Sequence, residues 1–422
     1  MREWNTDLPN MMEAWFWKQP AADIDAVIAR YHAEAPLDWF EEPHYDDLVP
    51  VAPGYWCVTR HADVAGISRN TEVFSSAAGI TVLDAPPEFT EFFSSMIAMD
   101  DPRHARLRRI VAKGFTPKML ADLDGSVQAA AAEIVDSVCE QGSCDFVTEV
   151  AAALPLRIVC DLMGIPRSEY QGVFDATNVI LGISDPEYQP EGENLLSALL
   201  AAGAQLAALM KEVAQAKRGG DGTDLTSVLV NAALPDDQLS ESDLASFFVL
   251  LVVAGNETTR NAISWGLKYL TDHPDQRAIW AADFEGVAPT AVEEIVRLSS
   301  PVGYMRRTLT RDFVFEGREM AEGDKVAMFY VAANRDPAVF DDPFAFDVLR
   351  NPNPQYGFGS PGPHYCLGAH LARREMTVMY RELFHRLPDI VAVSEPDTLQ
   401  AAFIHGVKHL DAEFTPTMPL AA

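Results

Sequence analysis

A mainly α fold with small β-sheets, in a single domain spanning 1–422, is what the sequence predicts. Three observations carry that expectation. Most of the chain falls into segments rich in helix formers. The β-like runs are short and sit towards the two ends, without the regular alternation of βαβ units. One helical segment of roughly 30 residues would span roughly 45 Å, the width of a whole domain. Its stretch 245–255 is apolar nearly all round, as suits a helix through the middle of a core. No internal repeat, low-complexity stretch or convincing linker divides the chain.

In chain order, Tyr55-Trp56-Cys57-Val58-Thr59 reads as a short strand, with a helix around His61 to Ser68 after it. Asp100-Asp101-Pro102 makes a good helix start. Further helices are predicted over 119–140, 147–163, 195–217, 244–271, 290–298 and 366–387. Val314-Phe315 and 326–330 are the later strand candidates. The long helix has clear ends: Ser240 with Asp243 three residues on caps its start, and His273-Pro274 stops it. Leu181 to Gly192 is a turn-rich interruption between helices and is read as a lid.

A hydrophobic share of 48% is ample for a large core. The formal net charge of −30 argues against nucleic acid and against an anionic membrane surface as partners. None of the five cysteines, Cys57, Cys139, Cys144, Cys160 and Cys366, forms a CxxC pair, and their odd number suits reduced thiols in the cytoplasm. The N-terminal 20 residues lack a basic stretch followed by an apolar run, so no secretory signal is expected. No unbroken run of about 18 apolar residues occurs, so no membrane-spanning segment is expected.

The chemistry concentrates in Phe358-Gly359-Ser360-Pro361-Gly362-Pro363-His364-Tyr365-Cys366-Leu367-Gly368. Its glycines and prolines preclude regular structure, and a good helical sequence follows the cysteine. A sulfur at a helix N-terminus is favoured as a thiolate, the form an axial iron ligand needs. The Gly-x-His-x-Cys-x-Gly spacing resembles the haem-binding signature of the cytochrome P450 superfamily. That resemblance implies haem b (iron protoporphyrin IX), Cys366 as the metal ligand, and Phe358, His364 and Gly368 among the haem contacts. The superfamily's aromatic lies seven residues before the cysteine; here that position is Gly359, and Phe358 is one residue further back.

Ala254-Gly255-Asn256-Glu257-Thr258-Thr259-Arg260 breaks the rules of a buried helix with a glycine, an acid and paired threonines. It resembles the superfamily's oxygen-activation motif, which implies that Ala254 and Gly255 adjoin the haem and that Glu257 and Thr258 relay protons. Glu294 and Arg297 share a helix face and match the ExxR pair. By resemblance their third partner is a later arginine, for which Arg335 is the candidate. His104, Arg108, Arg307 and His364 match positions that bind the haem propionates; each alone reads first as surface charge, and their order along the chain together favours the haem role.

The resemblance runs from Tyr55 to His409. Within the superfamily, 253–261, 283–294, Arg350-Asn351-Pro352-Asn353-Pro354 and Phe403-Ile404-His405-Gly406-Val407-Lys408 are similar to the actinobacterial group that hydroxylates methyl-branched lipids and cholesterol side chains. The implied substrate residues are Ile80, Phe93, Ile97, Met99, Leu250, Val253 and Phe403, all apolar, which suits a lipid or terpenoid. No flavin or nicotinamide fingerprint is present, so electrons are expected from a ferredoxin and its reductase. Arg106, Arg109, Lys113, Arg373 and Arg374 are the candidate docking patch. Terminal hydroxylation of a methyl-branched lipid with O2 is the leading expectation, and a sterol side chain is the alternative substrate. A peroxide-driven peroxygenase, a haem-thiolate isomerase, and a non-catalytic haem or lipid binder are the alternatives of other classes.

Overall fold

The computed structural model describes residues 2–44, 52–84, 95–115, 117–182, 185–188, 195–231 and 239–420. Helices dominate, as expected, and four small sheets accompany them among the described residues. The central helix runs from Glu241 to Asp272, capped by Ser240, whose hydroxyl accepts the Asp243 N–H at 3.0 Å. It packs against helices Ala153–Met163, Leu195–Lys217, Tyr170–Gly182, Phe284–Ser299 and Ala369–Arg386, so most of its surface is core. Two large apolar clusters meet along it: one holds Ile263, Ile295 and Met379, the other Val159, Leu206 and Phe248.

The largest sheet has five strands and mixes chain ends. Leu37–Phe40 pairs with Tyr55–Val58, which pairs in parallel with Lys325–Phe329; that strand pairs with Tyr304–Leu309, and Phe74–Ser75 lies at the far edge. The strand Tyr55–Val58 is thus where the sequence places it, buried at every position. Its partner Leu37–Phe40, paired through Trp39 opposite Trp56, was not anticipated.

Several helices escape sequence reading. Ala21–Glu34, Tyr170–Gly182, Leu225–Val230 and Pro274–Ala282 carry weaker or shorter apolar patterns. The ExxR helix starts at Phe284 rather than at 290, because Pro289 is accommodated inside it. An internal proline costs roughly 3 kcal/mol; the buried face of Val287, Ala288, Ala291 and Val292 opposes that cost. The segment read as one helix from 147 is a π-helical stretch, Phe146–Ala151, followed by Ala153–Met163.

Helix Ser197–Lys217 is long and apolar enough to cross a membrane by length and composition, with a mean hydropathy of 1.2. It nevertheless packs on the central helix and on Tyr170–Gly182, which gives its apolar residues a protein partner. Leu206 and Met210 are buried there.

Candidate haem site

The cysteine loop is held by backbone bonds that its glycines permit. Gly359 adopts φ 86°, a left-handed conformation that favours glycine. That turn absorbs the extra residue of the loop: the Cys366 N–H still donates to the Phe358 carbonyl at 2.9 Å. Phe358 packs against the main core, with the Arg373 guanidinium 4.3 Å from its ring centre. A Cβ on Gly362 would come within 2.7 Å of the Ser68 carbonyl oxygen, so the loop lies close against helix His61–Arg69.

The helix after the cysteine starts later than expected, at Ala369 with Gly368 as its cap. The N–H groups of Gly368 and Ala369 reach the Cys366 sulfur, and Arg108 and Arg373 lie near it. These four lower the thiol's pKa, but burial is the larger effect and leaves it above the ordinary value. A bound metal cation would hold the sulfur as a thiolate, since coordination deprotonates a thiol outright.

Around this loop the basic residues converge. His104 and His364 stack with ring centres 4.2 Å apart, although they stand on helix Arg103–Val111 and on the loop. Arg108 donates to the Tyr365 carbonyl at 2.5 Å. Arg307, on strand Tyr304–Leu309, is buried and donates to the Arg306 carbonyl at 2.8 Å. Burial first, then Arg307, His104 and Arg108, hold His364 down at about 3. Asp100 and Asp101 supply only partial compensation: Asp101 accepts from His104 at 3.3 Å, and Asp100 is bonded to Ser75 and to the Ser76 N–H. Among the described residues His104 Nε2 and Arg307 Nε are buried without a partner. Buried nitrogens left unpaired beside arginines fit an anionic group between them, as the two carboxylates of a haem require. Ser76, whose hydroxyl lies 3.2 Å from His364, joins this cluster without any sequence signal.

On the central helix, Ala254 is exposed although the helix is largely buried, and Gly255 and Thr258 are half-buried beside it. The Thr258 hydroxyl donates to the Ala254 carbonyl at 2.8 Å. Glu257 is turned elsewhere: it is 1% exposed and pairs with Arg260, which also donates to Asn178 at 3.0 Å. Burial raises the Glu257 carboxyl against the opposing effect of Arg260, and one of its oxygens has no partner. Both side-chain atoms of Asn256 and the Arg260 Nε are likewise unpartnered. The Arg260–Asn178 link was not foreseen.

The ExxR pair forms as expected, with Arg297 bonded to both Glu294 oxygens at 2.8 Å. Its third partner is Arg350, not Arg335. Arg350 Nε lies 3.1 Å from each Glu294 oxygen, whereas Arg335 pairs with Asp25 at 2.9 Å and with the Leu298 carbonyl at 3.0 Å. The reason is reach: helix Phe284–Ser299 directs Glu294 at the loop 347–353, and Asn353 and the Asp347 N–H bind the same carboxylate. The stretch Arg350-Asn351-Pro352-Asn353-Pro354 was the available signal.

Of the substrate candidates, Phe93 lies outside the described residues. Ile80 and Phe403 flank one strand: the Ile80 carbonyl accepts from Arg306 at 2.8 Å and the Phe403 carbonyl from Gly303 at 2.9 Å. The Phe403 ring also packs edge-on against Tyr304. Leu250 and Val253 are half-buried on the central helix, about two turns and one turn before Thr258, and Ile97 is half-buried too. Met99 is 5% exposed, the most enclosed of the described candidates. In the proposed docking patch, Arg373 pairs with Glu293 and Arg374 with Asp124, so part of its charge is already balanced.

The cytochrome P450 family model matches residues 287–392, which include the ExxR pair and the cysteine loop. The chain is 47% identical over 398 residues to a methyl-branched lipid omega-hydroxylase of Mycobacterium tuberculosis, covering 94% of this chain and 92% of that protein. It is 36% identical over 427 residues to a steroid C26-monooxygenase of Mycobacterium tuberculosis, covering 98% and 95%. A solved Mycobacterium marinum cytochrome P450 in complex with pseudoionone superposes with a TM-score of 0.92 at 39% identity, covering 98% of this chain and all of that one. With fold, cysteine loop and near-full-length relatives in agreement, the chain belongs to the cytochrome P450 family of haem-iron monooxygenases.

Proposed function

We propose that this chain hydroxylates the terminal, methyl-branched end of a long lipid to a primary alcohol. It uses haem b, O2, and electrons from a ferredoxin and its reductase. The observation that carries the reading is the 47% identity to the methyl-branched lipid omega-hydroxylase over 94% of the chain. When bound, haem supplies the oxidising power to insert one oxygen atom into an unactivated C–H bond.

Cys366 would hold the iron in this reading, with the Gly368 and Ala369 N–H groups and Arg108 tempering the charge on sulfur. His104, Arg108, Arg307 and His364 would hold the propionates, and the nitrogens of His104 and Arg307 that have no partner among the described residues support that role. Phe358 packs beside the cysteine, and Ala254 and Gly255 would leave room for the group. The Thr258 hydroxyl would hold and pass on a proton there, and Glu257, whose carboxyl is raised by burial, would resupply it.

Terminal C–H bonds are stronger than internal ones, so only steric confinement selects them. Ile80, Ile97, Met99, Leu250, Val253 and Phe403 would line an apolar passage, and a branched end fills such a passage better than a straight one. A methylene of fit is worth about 1–3 kcal/mol. A sterol side chain is the second reading, favoured by the similarity to the steroid C26-monooxygenase.

Spin-state titration of the purified holoprotein against branched fatty acids, isoprenoids, sterols and straight-chain acids tests this. Branched chains are expected to bind about tenfold tighter than straight chains of equal length. Tighter binding of a small polar compound overturns the reading, and tightest binding of sterols moves it to the second.

A further inference from the structure

The stretch Phe403 to Lys408 was singled out from sequence for its resemblance alone, and the structure places its lysine somewhere specific. Strands Asp397–Thr398 and Val407–His409 pair as a hairpin whose tip carries Phe403. One side of the tip is stitched to the chain before Arg307: Gly303 donates to the Phe403 carbonyl, and His405 to the Pro301 carbonyl at 3.0 Å. Behind it, the Val407 N–H donates at 3.0 Å to Asn261, three residues beyond Thr258 on the central helix.

The other side is held by charge. Lys408, 7% exposed, bonds to Glu187 at 2.7 Å, to Asp185 at 3.3 Å and to Asp397 at 3.2 Å. Asp185 and Glu187 belong to the short turn between helices Tyr170–Gly182 and Leu195–Lys217. Asp185 is 1% exposed; its carboxylate also accepts the Gln400 N–H at 3.2 Å and the Glu187 N–H at 3.0 Å. Outside this core, His409 bridges Asp145 at 2.6 Å and Glu187 at 2.8 Å, and Lys18 reaches Asp397 at 2.8 Å. Tyr188 ends the turn, packed against Gly182 and within electrostatic reach of Arg260 and Glu257.

Removing a cation from beside a buried carboxylate leaves an uncompensated charge. Among the described residues Lys408 is the buried cation that faces Asp185, so its ammonium is the central tie between the turn and the hairpin, with the Gln400 N–H and His409 as lesser ones.

We propose that Lys408 is a positioning residue for terminal attack: it locks the turn at Asp185–Tyr188 to the hairpin carrying Phe403, and thereby sets how narrowly a lipid end is confined. This rests on the terminal-hydroxylase reading above. A purely structural lysine would alter yield and stability while leaving the site of attack unchanged; a positioning lysine moves the site of attack.

The test is product analysis with the holoenzyme. Lys408→Met combined with Asp185→Asn removes the cation and its buried partner together, so neither is left unpaired. Terminal-to-internal product ratio is expected to fall about fivefold, with weaker binding of a branched substrate and unchanged haem content. Lys408→Arg is expected to retain the wild-type ratio. Should the double variant fail to fold, Glu187→Gln, which loosens one tie at the surface, must move the ratio in the same direction. An unchanged ratio in the folded variant, or in Glu187→Gln where that is the one assayed, overturns the proposal. Wild-type enzyme giving chiefly internal alcohols would instead sink the terminal-hydroxylase reading.

Discussion

Two buried glutamate–arginine pairs at the same i, i+3 spacing serve opposite ends in this molecule. Glu294 and Arg297 are fully enclosed, and every donor and acceptor is used. Glu294 receives Arg297, Arg350, Asn353 and the Asp347 N–H, while Arg297 also bonds the carbonyls of Asn334, Pro343 and Ala345. Glu257 and Arg260 are as deeply buried, yet one oxygen and one nitrogen lack partners and the carboxyl is raised by burial. A saturated network rigidifies; an unsaturated one retains the capacity to accept a proton or a water. The two pairs share a spacing and differ in the number of partners, which fits a strut at Glu294 and the proposed working acid at Glu257.

The largest expected effect lies at Cys366, the proposed iron ligand. Cys366→Ala should abolish turnover and the absorption band that thiolate-ligated, reduced haem shows with CO, while Cys57, Cys139, Cys144 or Cys160 replaced by serine should keep the band. Next, the saturated pair should behave as structure. Arg350→Ala removes one of the two arginines that bind Glu294 and leaves its outer hydrogen bonds unmade, a stability loss of about 1–3 kcal/mol. Thermal unfolding and haem content should both fall. Arg335→Ala, which leaves Glu294 untouched, should lose less haem; an equal loss would return Arg335 to the third position.

The unsaturated pair should behave as chemistry. Glu257→Gln is expected to preserve folding and substrate binding while slowing product formation about 100-fold, the usual scale of general acid assistance. Thr258→Ala should likewise bind normally and divert NADH into hydrogen peroxide. Stopped coupling without loss of stability separates these from Glu294→Gln; a shared loss of stability would erase the distinction between the two pairs.

The smallest effect concerns Glu375, on the helix that follows the ligand. Burial pushes its carboxyl up to about 8 from an ordinary 4.5. The folded protein thus keeps a proton that the unfolded chain has released, so stability falls as pH rises between those values. Glu375→Gln should flatten that decline in melting temperature, measured from about pH 5 to 9. Parallel curves for variant and wild type would show that Glu375 does not titrate there.

What the sequence makes legible follows from the same contrast. The cysteine loop, the central helix with its Ser240 cap and the ExxR pair are local patterns, each fixed by residues a few positions apart. Ser76, Asn178 and Asp185 are partners reached across 288, 82 and 223 positions, and no local rule points to them; Arg350, 56 positions from Glu294, was signalled only by the stretch 350–354. Helix Tyr170–Gly182, which was not anticipated, packs on the central helix and on Leu195–Lys217, long-range contacts that no local pattern encodes.

The central claim, terminal attack on a branched lipid, is tested most directly by the product itself. Purified holoenzyme with ferredoxin, reductase and NADH should convert branched fatty acids or isoprenoids to primary terminal alcohols, identified by mass spectrometry, in preference to straight-chain analogues. Mainly internal alcohols, or faster conversion of a small polar substrate, would contradict the account.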